Sequence, residues 1–137
     1  MKLSNTSEYA LRILSFMAKE PELKYSAKYL VDSLKISDKY LRRLMTDLSK
    51  AGFIRSTQGR DGGYFFAKKI NEIVLADIID SVEGMEKYMG CVLGFPQCSD
   101  ENPCIMHATW IKVRQEFINT FNNKTLADFN YNDIHKF

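Results

Sequence analysis

The stretch SDKYLRRLMTDLSKAGFIRSTQGRDGGYFFAKK, residues 37–69, decides the fold of this chain. Its first part places apolar residues at helical spacing behind Ser37, a good N-cap, and ends at Gly52, where a left-handed residue stops a helix. Its second part changes period, because residues 53–58 and 64–68 are typical of short strands on either side of a glycine-rich turn. The stretch therefore predicts a helix followed directly by a β-hairpin.

Two further helices are predicted before this stretch. Apolar spacing predicts the first over residues 5–19, with Asn5 as its cap and Glu8 closing a capping box three residues later. Ser26 is expected to cap the second, over residues 27–34. Three short helices followed by a hairpin is the order of a winged helix–turn–helix. The predicted fold is mainly α with a small β-hairpin.

The second half of the chain is predicted to be helical around one long loop. A short helix over residues 75–82 precedes a loop over 83–103, and a long helix covers 104–122. We therefore expect a winged helix–turn–helix DNA-binding region at residues 1–70. Residues 71–137 are expected to form the cysteine loop and a dimerisation helix, and the two regions to make one compact unit.

Composition and charge restrict the class of protein. With 137 residues, 45% of them hydrophobic and 26% charged, the chain fits a small globular domain, which excludes a large two-domain enzyme. No apolar run approaches the roughly 20 residues that cross a bilayer, and the N-terminus lacks the apolar core of a secretory signal, so a cytoplasmic protein is expected. Residues 1–70 carry 14 Lys and Arg against 7 Asp and Glu, whereas residues 71–137 carry 5 against 10. The basic half is expected to meet a polyanion.

The polar face of the helix in residues 37–50 carries donors suited to DNA. The side chains opposite its apolar face are Lys39, Arg42, Arg43, Thr46 and Lys50. A recognition helix meets base edges with its N-terminal residues, and Arg can bind guanine through two hydrogen bonds. Ser37 and the free N–H groups of the first turn offer a phosphate site, and Arg60 at the hairpin tip is expected to enter a minor groove. A plain solvated face is the alternative, which the basic hairpin alongside disfavours.

All three cysteines lie in one short segment, as Cys91, Cys98 and Cys104, followed closely by His107. Buried core thiols are one alternative. A disulfide is disfavoured in the cytosol and leaves an odd thiol, and a nucleophilic Cys–His pair lacks an evident substrate pocket. Metal ligation fits best, because three thiolates and an imidazole supply four ligands.

Zinc and an iron–sulfur cluster both remain compatible with these ligands. Structural zinc usually uses cysteine pairs about two to four residues apart. The gaps here are six and five residues, which favours the bulkier iron–sulfur cluster, either 2Fe–2S or 4Fe–4S. Pro103 suits the first position of a helix, which would place Cys104 at the positive end of the helix dipole. Cys104 and His107, at positions i and i+3, are then expected on one helix face.

Taken together, the sequence resembles the family of winged-helix bacterial regulators that includes the iron–sulfur cluster regulator IscR and the nitric-oxide-sensing repressor NsrR. The resemblance covers nearly the whole chain and rests on MKLS, SDKYLRRLMTDLSKAGFI, GRDGGYFFAKK, LADIIDSVEG, the cysteines with the histidine, and TLADF. It implies a DNA-binding transcription regulator, such as a repressor, and not an enzyme. It also implies a homodimer on a palindromic operator, with a cluster near the dimer interface that sets DNA affinity.

The resemblance also implies a set of cluster ligands. By position, Cys91, Cys98 and Cys104 match the three cysteine ligands, and His107 matches the histidine that is the fourth ligand in one branch. In other branches a carboxylate near the start of the first helix, donated by the other subunit, takes that place, and Glu8 stands there in this chain. The first gap between cysteines is one residue longer than the family pattern, which leaves the cluster type and the fourth ligand open.

The long last helix carries a stripe of large apolar residues, which are Met106, Trp110, Val113, Phe117 and Phe121, flanked by Ile111 and Ile118. A terminal helix that is apolar on more than one face needs more than one surface to cover it. We therefore expect a homodimer with Trp110, Val113, Phe117 and Phe121 at its interface. The alternative is that the helix is buried within one subunit, but a chain of 137 residues is too small to surround it.

The leading function is a transcription regulator whose operator affinity is set by an iron–sulfur cluster that senses redox state, iron–sulfur supply or nitric oxide. One rival is a winged-helix regulator with structural zinc or no metal, which responds to a protein or a small ligand. Another is a small cysteine-based redox protein, which leaves the basic helix and hairpin unexplained.

Overall fold

A computed structural model describes residues 2–131 of the chain. In chain order its helices and strands are α1 (Asn5–Ala18), α2 (Ala27–Leu34), α3 (Asp38–Lys50), β1 (Ile54–Thr57), β2 (Gly63–Phe66), α4 (Leu75–Val82) and α5 (His107–Asn122). Short 3-10 turns lie at Ile70–Glu72, Glu86–Tyr88 and Leu126–Asp128. The predicted fold class, mainly α with a small β-hairpin, is confirmed.

The turn between α2 and α3 follows the sequence signals closely. Ser26 Oγ accepts a hydrogen bond from Tyr29 N–H at 3.1 Å, and Ser37 Oγ accepts one from Tyr40 N–H at 3.2 Å. Lys35 takes a left-handed conformation with φ of 55°, which ends α2 and lets α3 begin three residues later. Both predicted serine caps are therefore present.

The predicted cap of α1 is wrong by one residue. Ser4, not Asn5, is the N-cap, and its Oγ accepts a first-turn backbone N–H at 3.3 Å. Glu8 consequently stands one position too late for a capping box. It instead pairs with Lys2 at 3.5 Å and with Arg12 at 4.0 Å on the helix surface.

The core forms where the apolar face of α3 meets α1 and α4. That face is fully buried and consists of Leu41, Leu44, Met45 and Leu48. It belongs to one apolar cluster with Ile13 and Met17 of α1, Ile78 of α4 and Leu126 of the last 3-10 turn. This packing leaves the opposite face of α3 in solvent, which is where the predicted DNA-binding residues lie.

The hairpin pairs Ile54 with Phe66 and Thr57 with Gly63 in an antiparallel register. Its first strand is shorter than the predicted 53–58. The second strand begins one residue before the predicted 64–68 and ends earlier, because the chain bends after Phe66.

The hairpin is anchored to the helical body just before α2. Tyr25 and Tyr64 exchange two backbone hydrogen bonds, at 2.8 Å and 2.7 Å. A Cβ atom at Gly63 would lie 2.6 Å from the carbonyl oxygen of Tyr25, so the close approach requires glycine. The hairpin therefore holds a defined position beside α3.

The helix predicted over 104–122 begins later in the structure. Helix α5 starts at His107, because residues 104–107 form a separate turn closed by a 3.1 Å bond from His107 N–H to the carbonyl of Cys104. Pro103 is thus not in the first turn of a helix, and the prediction that Cys104 and His107 share a helix face is wrong. Helix α4 has its predicted bounds, and the loop after it contains the turn Glu86–Tyr88.

Helix α5 packs loosely against its own chain, since none of its residues is buried. Among residues 2–131, no helix has the length and apolar character needed to cross a membrane.

Candidate metal centre and nucleic-acid interface

The exposed face of α3 brings together the predicted DNA-binding side chains. Lys39, Arg42, Arg43 and Thr46 all lie in solvent, and the exposed N-cap Ser37 stands at the same end. The first turn of a helix leaves backbone N–H groups without intrahelical partners, and these groups attract phosphate. The surface can therefore supply base contacts and phosphate contacts from one helix end.

Arg42 has a defined orientation on this surface. Its Nε donates to Asp38 Oδ2 at 2.9 Å, and this bond raises the pKa of Arg42. The bond uses Nε alone, so the two terminal nitrogens of the guanidinium take no part in it. Arg42 also lines a cleft of about 240 Å³ between α3 and the hairpin, beside Gly59 and Tyr64.

Arg60 lies exposed at the tip of the hairpin, next to Asp61. The turn there uses Gly59 with a φ of 97°, a conformation open to glycine. Lys24 Nζ donates to the Asp61 carbonyl at 3.4 Å, which links the tip to the segment before α2. Gly59 and Gly62, on either side of Arg60 and Asp61, line the cleft between the hairpin and α3.

The three cysteines lie close together in space although six and five residues separate them in the sequence. The Sγ atoms of Cys91, Cys98 and Cys104 all lie within 4.8 Å of one another, and those of Cys91 and Cys104 are 3.6 Å apart. All three side chains are half-buried. Three sulfur atoms this close form a donor set suited to a soft metal.

The thiols influence one another's ionisation. Burial opposes ionisation of Cys91, but the backbone N–H groups of Phe95 and Leu93 and the neighbouring thiols outweigh it and lower the pKa of Cys91 to about 7. For Cys98, a backbone hydrogen bond from Cys104 favours the thiolate, yet burial and the two other thiols raise its pKa. A thiolate is the form that binds metal, and of these two thiols Cys91 is the one whose surroundings favour the thiolate.

His107 lies beside the cysteines and not within their group. Its Nδ1 is 3.2 Å from Cys98 Sγ, and its Nε2 is 2.8 Å from Asp100 Oδ1. A carboxylate on the far ring nitrogen is the usual partner of a metal-binding histidine, because it fixes which nitrogen carries the proton. Glu8, the alternative fourth ligand, lies on α1, where its carboxylate pairs with Lys2 and Arg12 of the same chain.

Two side chains of α5 hold the backbone that leads into Cys91. Trp110 Nε1 donates to the Gly90 carbonyl at 2.9 Å, and an Arg114 terminal nitrogen donates to the Met89 carbonyl. Both side chains line a cavity of about 210 Å³ that the three cysteines share. The sequence reasoning missed Arg114, because a contact between a loop and a distant helix leaves no local signal.

The four residues predicted at a dimer interface lie in different settings. Trp110 contacts residues 84–106, which we call the cysteine segment, and Phe117 packs on Tyr88 with ring centroids 5.2 Å apart. Phe121 packs on Phe117 at 5.0 Å and on the core, whereas Val113 is exposed. Helix α5 therefore uses one face within its own chain and leaves another open.

Further apolar side chains are exposed in the residues before α5. Ile105 is 94% exposed and Phe95 is 57% exposed, and Val92, Leu93 and Met106 are also in solvent. Large apolar side chains left in solvent within one segment favour a protein–protein interface there.

Three helices, a hairpin anchored beside α3 and an exposed basic helix face define this chain as a winged-helix transcription regulator. The family model of Rrf2, described as an iron-dependent transcriptional regulator, matches residues 3–132. The chain belongs to the Rrf2 family. The resemblance inferred from the sequence is confirmed at the level of the family, whose members are DNA-binding regulators and not enzymes.

Individual relatives support the same assignment. The chain is 35% identical to the protein rrf2 of Nitratidesulfovibrio vulgaris, over 93% of this chain and 86% of that one. It is 30% identical to the transcriptional regulator NsrR of Geobacillus kaustophilus, over 93% and 88%. The structure of CymR, described as the global cysteine regulator of B. subtilis, superposes with a TM-score of 0.75 at 29% identity, covering 93% of this chain and 95% of that one.

Proposed function

We propose that this chain is a cytoplasmic, dimeric transcription regulator in which Cys91, Cys98 and Cys104 hold an iron–sulfur cluster. The state of the cluster sets the affinity for a palindromic operator. In this proposal residues 1–70 bind DNA, and residues 71–137 hold the cluster and form the dimer. The observation that carries the proposal is the convergence of three thiols within 4.8 Å in a chain that also has a basic recognition helix.

The donor set fits a soft metal, and the wide spacing of the three cysteines in sequence favours a cluster over zinc. Three soft thiolates suit iron–sulfur clusters and zinc, and the described residues bring no fourth cysteine to the group. When bound, a cluster would supply an iron centre that reacts with oxidants and nitric oxide. The chain's own residues hold it through sulfur and keep the segment ordered through Trp110 and Arg114.

His107 is the proposed fourth ligand. Its Nδ1 already faces Cys98 Sγ, and Asp100 holds the other ring nitrogen at 2.8 Å. A neutral imidazole in place of a thiolate leaves one bond that is more easily lost on protonation, which suits a sensor. Glu8 of the partner subunit is the alternative ligand, and replacing each residue by alanine distinguishes the two.

The proposed DNA contacts follow from the same surface. Arg42 and Arg43 reach base edges in the major groove, Lys39 and Ser37 contact phosphate, and Arg60 enters the adjacent minor groove. Thr46 adds a hydroxyl one turn further along α3. Twofold pairing through α5 would place two α3 helices about 34 Å apart, one turn of DNA.

The experiment is the visible absorption spectrum of protein purified without oxygen, with iron and sulfide counted per chain. We expect a coloured protein with acid-labile sulfide. The Cys91→Ala, Cys98→Ala and Cys104→Ala variants should each lose the colour. Ser99→Ala, in the same segment, is the matched control and should keep it.

Two outcomes would contradict the proposal. A colourless wild type that holds one tightly bound zinc per chain favours the rival regulator with structural zinc. A coloured protein that binds no DNA duplex in a pool of random sequences favours the small cysteine-based redox protein. If His107→Ala leaves the spectrum and the stability of the cluster unchanged, the fourth-ligand assignment moves to Glu8.

A further inference from the structure

Glu83 lies where α1, the end of α4 and the cysteine segment meet. Its Oε1 accepts hydrogen bonds from Ser7 Oγ and Tyr88 OH, both at 2.5 Å. Its Oε2 accepts from Ser4 Oγ and, at 3.3 Å, from Lys87 Nζ. We call Ser4, Ser7, Glu83 and Tyr88 the Glu83 network.

Two hydroxyl groups of the Glu83 network each donate one hydrogen bond and accept another. Ser4 Oγ donates to Glu83 and accepts from Ser7 N–H, while Tyr88 OH donates to Glu83 and accepts from Ser4 N–H at 3.2 Å. Ser7 is fully buried, and the Glu83 side chain is only 11% exposed. Burial opposes its ionisation, but the converging donors prevail and lower the pKa of Glu83 to about 2. A satisfied, mostly buried polar network of this kind is rigid and specifies one arrangement.

One side of the network leads to the cysteines. Tyr88 is followed directly by Met89 and Gly90, whose carbonyls accept from Arg114 and Trp110, and then by Cys91. Because both carbonyls are held by side chains of α5, this short connection has little freedom to absorb a displacement. A change in the position of Cys91 therefore reaches Tyr88.

The other side of the network leads to the recognition helix. Thr6 and Tyr9 neighbour Ser7 in the first turns of α1. Tyr40 OH donates to Thr6 Oγ1 at 3.2 Å, and the rings of Tyr9 and Tyr40 meet edge to face at 5.6 Å. Tyr40 belongs to the first turn of α3, between Lys39 and Arg42. The start of α1 thus contacts the end of α3 that is proposed to read bases.

We propose that Glu83 is a positioning residue that couples the cysteine segment to the recognition helix. This inference rests on the proposed function, because it needs two states of the cysteine segment. A bound group shifts affinity elsewhere only if it changes contacts that differ between two states. Glu83 joins Tyr88 rigidly to Ser4 and Ser7, so rearrangement of the segment on cluster loss moves the start of α1. Thr6 and Tyr9 then pass the movement to Tyr40.

The test compares operator affinity in the cluster-containing and cluster-free forms of wild type and of Glu83→Gln. Glutamine keeps the size of the side chain, but its amide nitrogen cannot accept the hydroxyl bonds. We expect the ratio of the two dissociation constants to move towards one by about 3- to 30-fold. The visible spectrum of the variant should stay that of wild type. Glu86→Gln removes an exposed carboxylate from the same segment, is the matched control, and should keep the wild-type ratio.

A second variant breaks the connection at its other end. Tyr40→Phe removes the hydroxyl that bonds Thr6 and keeps the ring that packs on Tyr9, so it should fold and also reduce the ratio. A merely structural role would weaken operator binding in both forms equally and leave the ratio unchanged. Tyr40→Phe also keeps the inference testable if Glu83→Gln does not fold.

The results separate this inference from the function on which it rests. If wild type binds the operator equally with and without its cluster, the sensing function fails and this inference fails with it. If wild type shows a difference that both variants retain in full, sensing stands and the role of Glu83 is overturned.

Discussion

Arg42 is oriented before DNA arrives, because Asp38 holds its Nε at 2.9 Å. An arginine that is already placed loses less side-chain freedom when it binds, and its terminal nitrogens match the two acceptors of guanine. Arg43, one residue on, has no such bond to Asp38. At the scale of single residues we therefore expect Arg42 to contribute more sequence specificity than Arg43.

We predict that Arg42→Ala weakens binding to the selected operator by about 5- to 150-fold, the usual range for a lost bidentate base contact. The loss should be smaller for unrelated duplexes, which is the signature of a base contact. Fluorescence anisotropy at fixed salt measures both affinities. Lys112→Ala, which removes an exposed lysine of α5 outside the winged-helix region, is the control. Unchanged affinity in both Arg42→Ala and Arg43→Ala would remove α3 from the reading role.

The carboxylate of Glu83 makes a second residue-scale prediction. Its pKa falls from 4.5 to about 2 on folding, so its contribution to stability is present above pH 4.5 and is lost as the pH falls towards about 2. Wild type should melt at a higher temperature than Glu83→Gln at neutral pH. This difference in melting temperature should become smaller as the pH falls from 4.5 towards about 2. Thermal unfolding at several pH values measures it, with Glu86→Gln as control. A difference in melting temperature that does not change with pH would contradict a stabilising role for the ionised Glu83 carboxylate.

Sequence reasoning succeeded at this scale where residue type carries the chemistry. Cysteine is rare and its chemistry is narrow, so Cys91, Cys98 and Cys104 could be predicted as a group from their clustering alone. Glu83 could not be predicted, because its partners Ser4 and Ser7 are distant in sequence. One glutamate among many acidic residues carries no signal until the fold brings its donors together.

At the scale of elements, a close backbone approach at Gly63 helps to fix the position of the hairpin. Gly63 brings β2 against Tyr25, and a Cβ there would lie 2.6 Å from its carbonyl oxygen. The hairpin carries Arg60 and borders the cleft that Arg42 lines. Any shift of the hairpin should therefore change DNA binding as well as stability.

We predict that Gly63→Ala lowers the free energy of unfolding by about 1–3 kcal/mol, the usual cost of overpacking, and weakens operator binding. Thermal unfolding and anisotropy on the same preparation measure both. Gly90→Ala is the matched control, since nothing lies within 4 Å of a Cβ atom there. Wild-type stability and affinity in Gly63→Ala would show that the hairpin tolerates displacement.

Helix α5 gives the second prediction at this scale. Val113 is exposed in the single chain, so Val113→Asp should leave the subunit folded and separate the proposed dimer into monomers. Sedimentation velocity distinguishes the two states, and circular dichroism checks the fold. Gln115→Asp adds the same charge at another exposed position of α5 and should stay dimeric. A Val113→Asp variant that sediments as a dimer would place the interface elsewhere.

The boundaries of elements were the least predictable feature of the fold. Apolar periodicity correctly predicted α3 and α4, because each has one buried face, and α3 also has a serine cap at its start. It extended α5 back to Cys104, since the turn at 104–107 has helix-like composition and differs only in its hydrogen bonds. That error removed the helical argument for pairing Cys104 with His107, although the fold still brings the thiols together.

At the scale of the whole molecule, the charge asymmetry agrees with the proposal that residues 1–70 bind DNA and residues 71–137 hold the cluster and form the dimer. The basic first half carries α3 and the hairpin, and the acidic second half carries the cysteine segment and α5. Residues from both halves share one core, which provides packed contacts between them. Sequence predicted this arrangement because charge and periodicity act over whole segments.

The central claim is that the cluster sets operator affinity. The most direct test measures the operator dissociation constant of one oxygen-free preparation by anisotropy, before and after its cluster is removed by chelation. Iron and sulfide counts confirm the removal. The account predicts dissociation constants that differ by about 5- to 150-fold. Equal dissociation constants, with the cluster present in one sample and absent from the other, would contradict it.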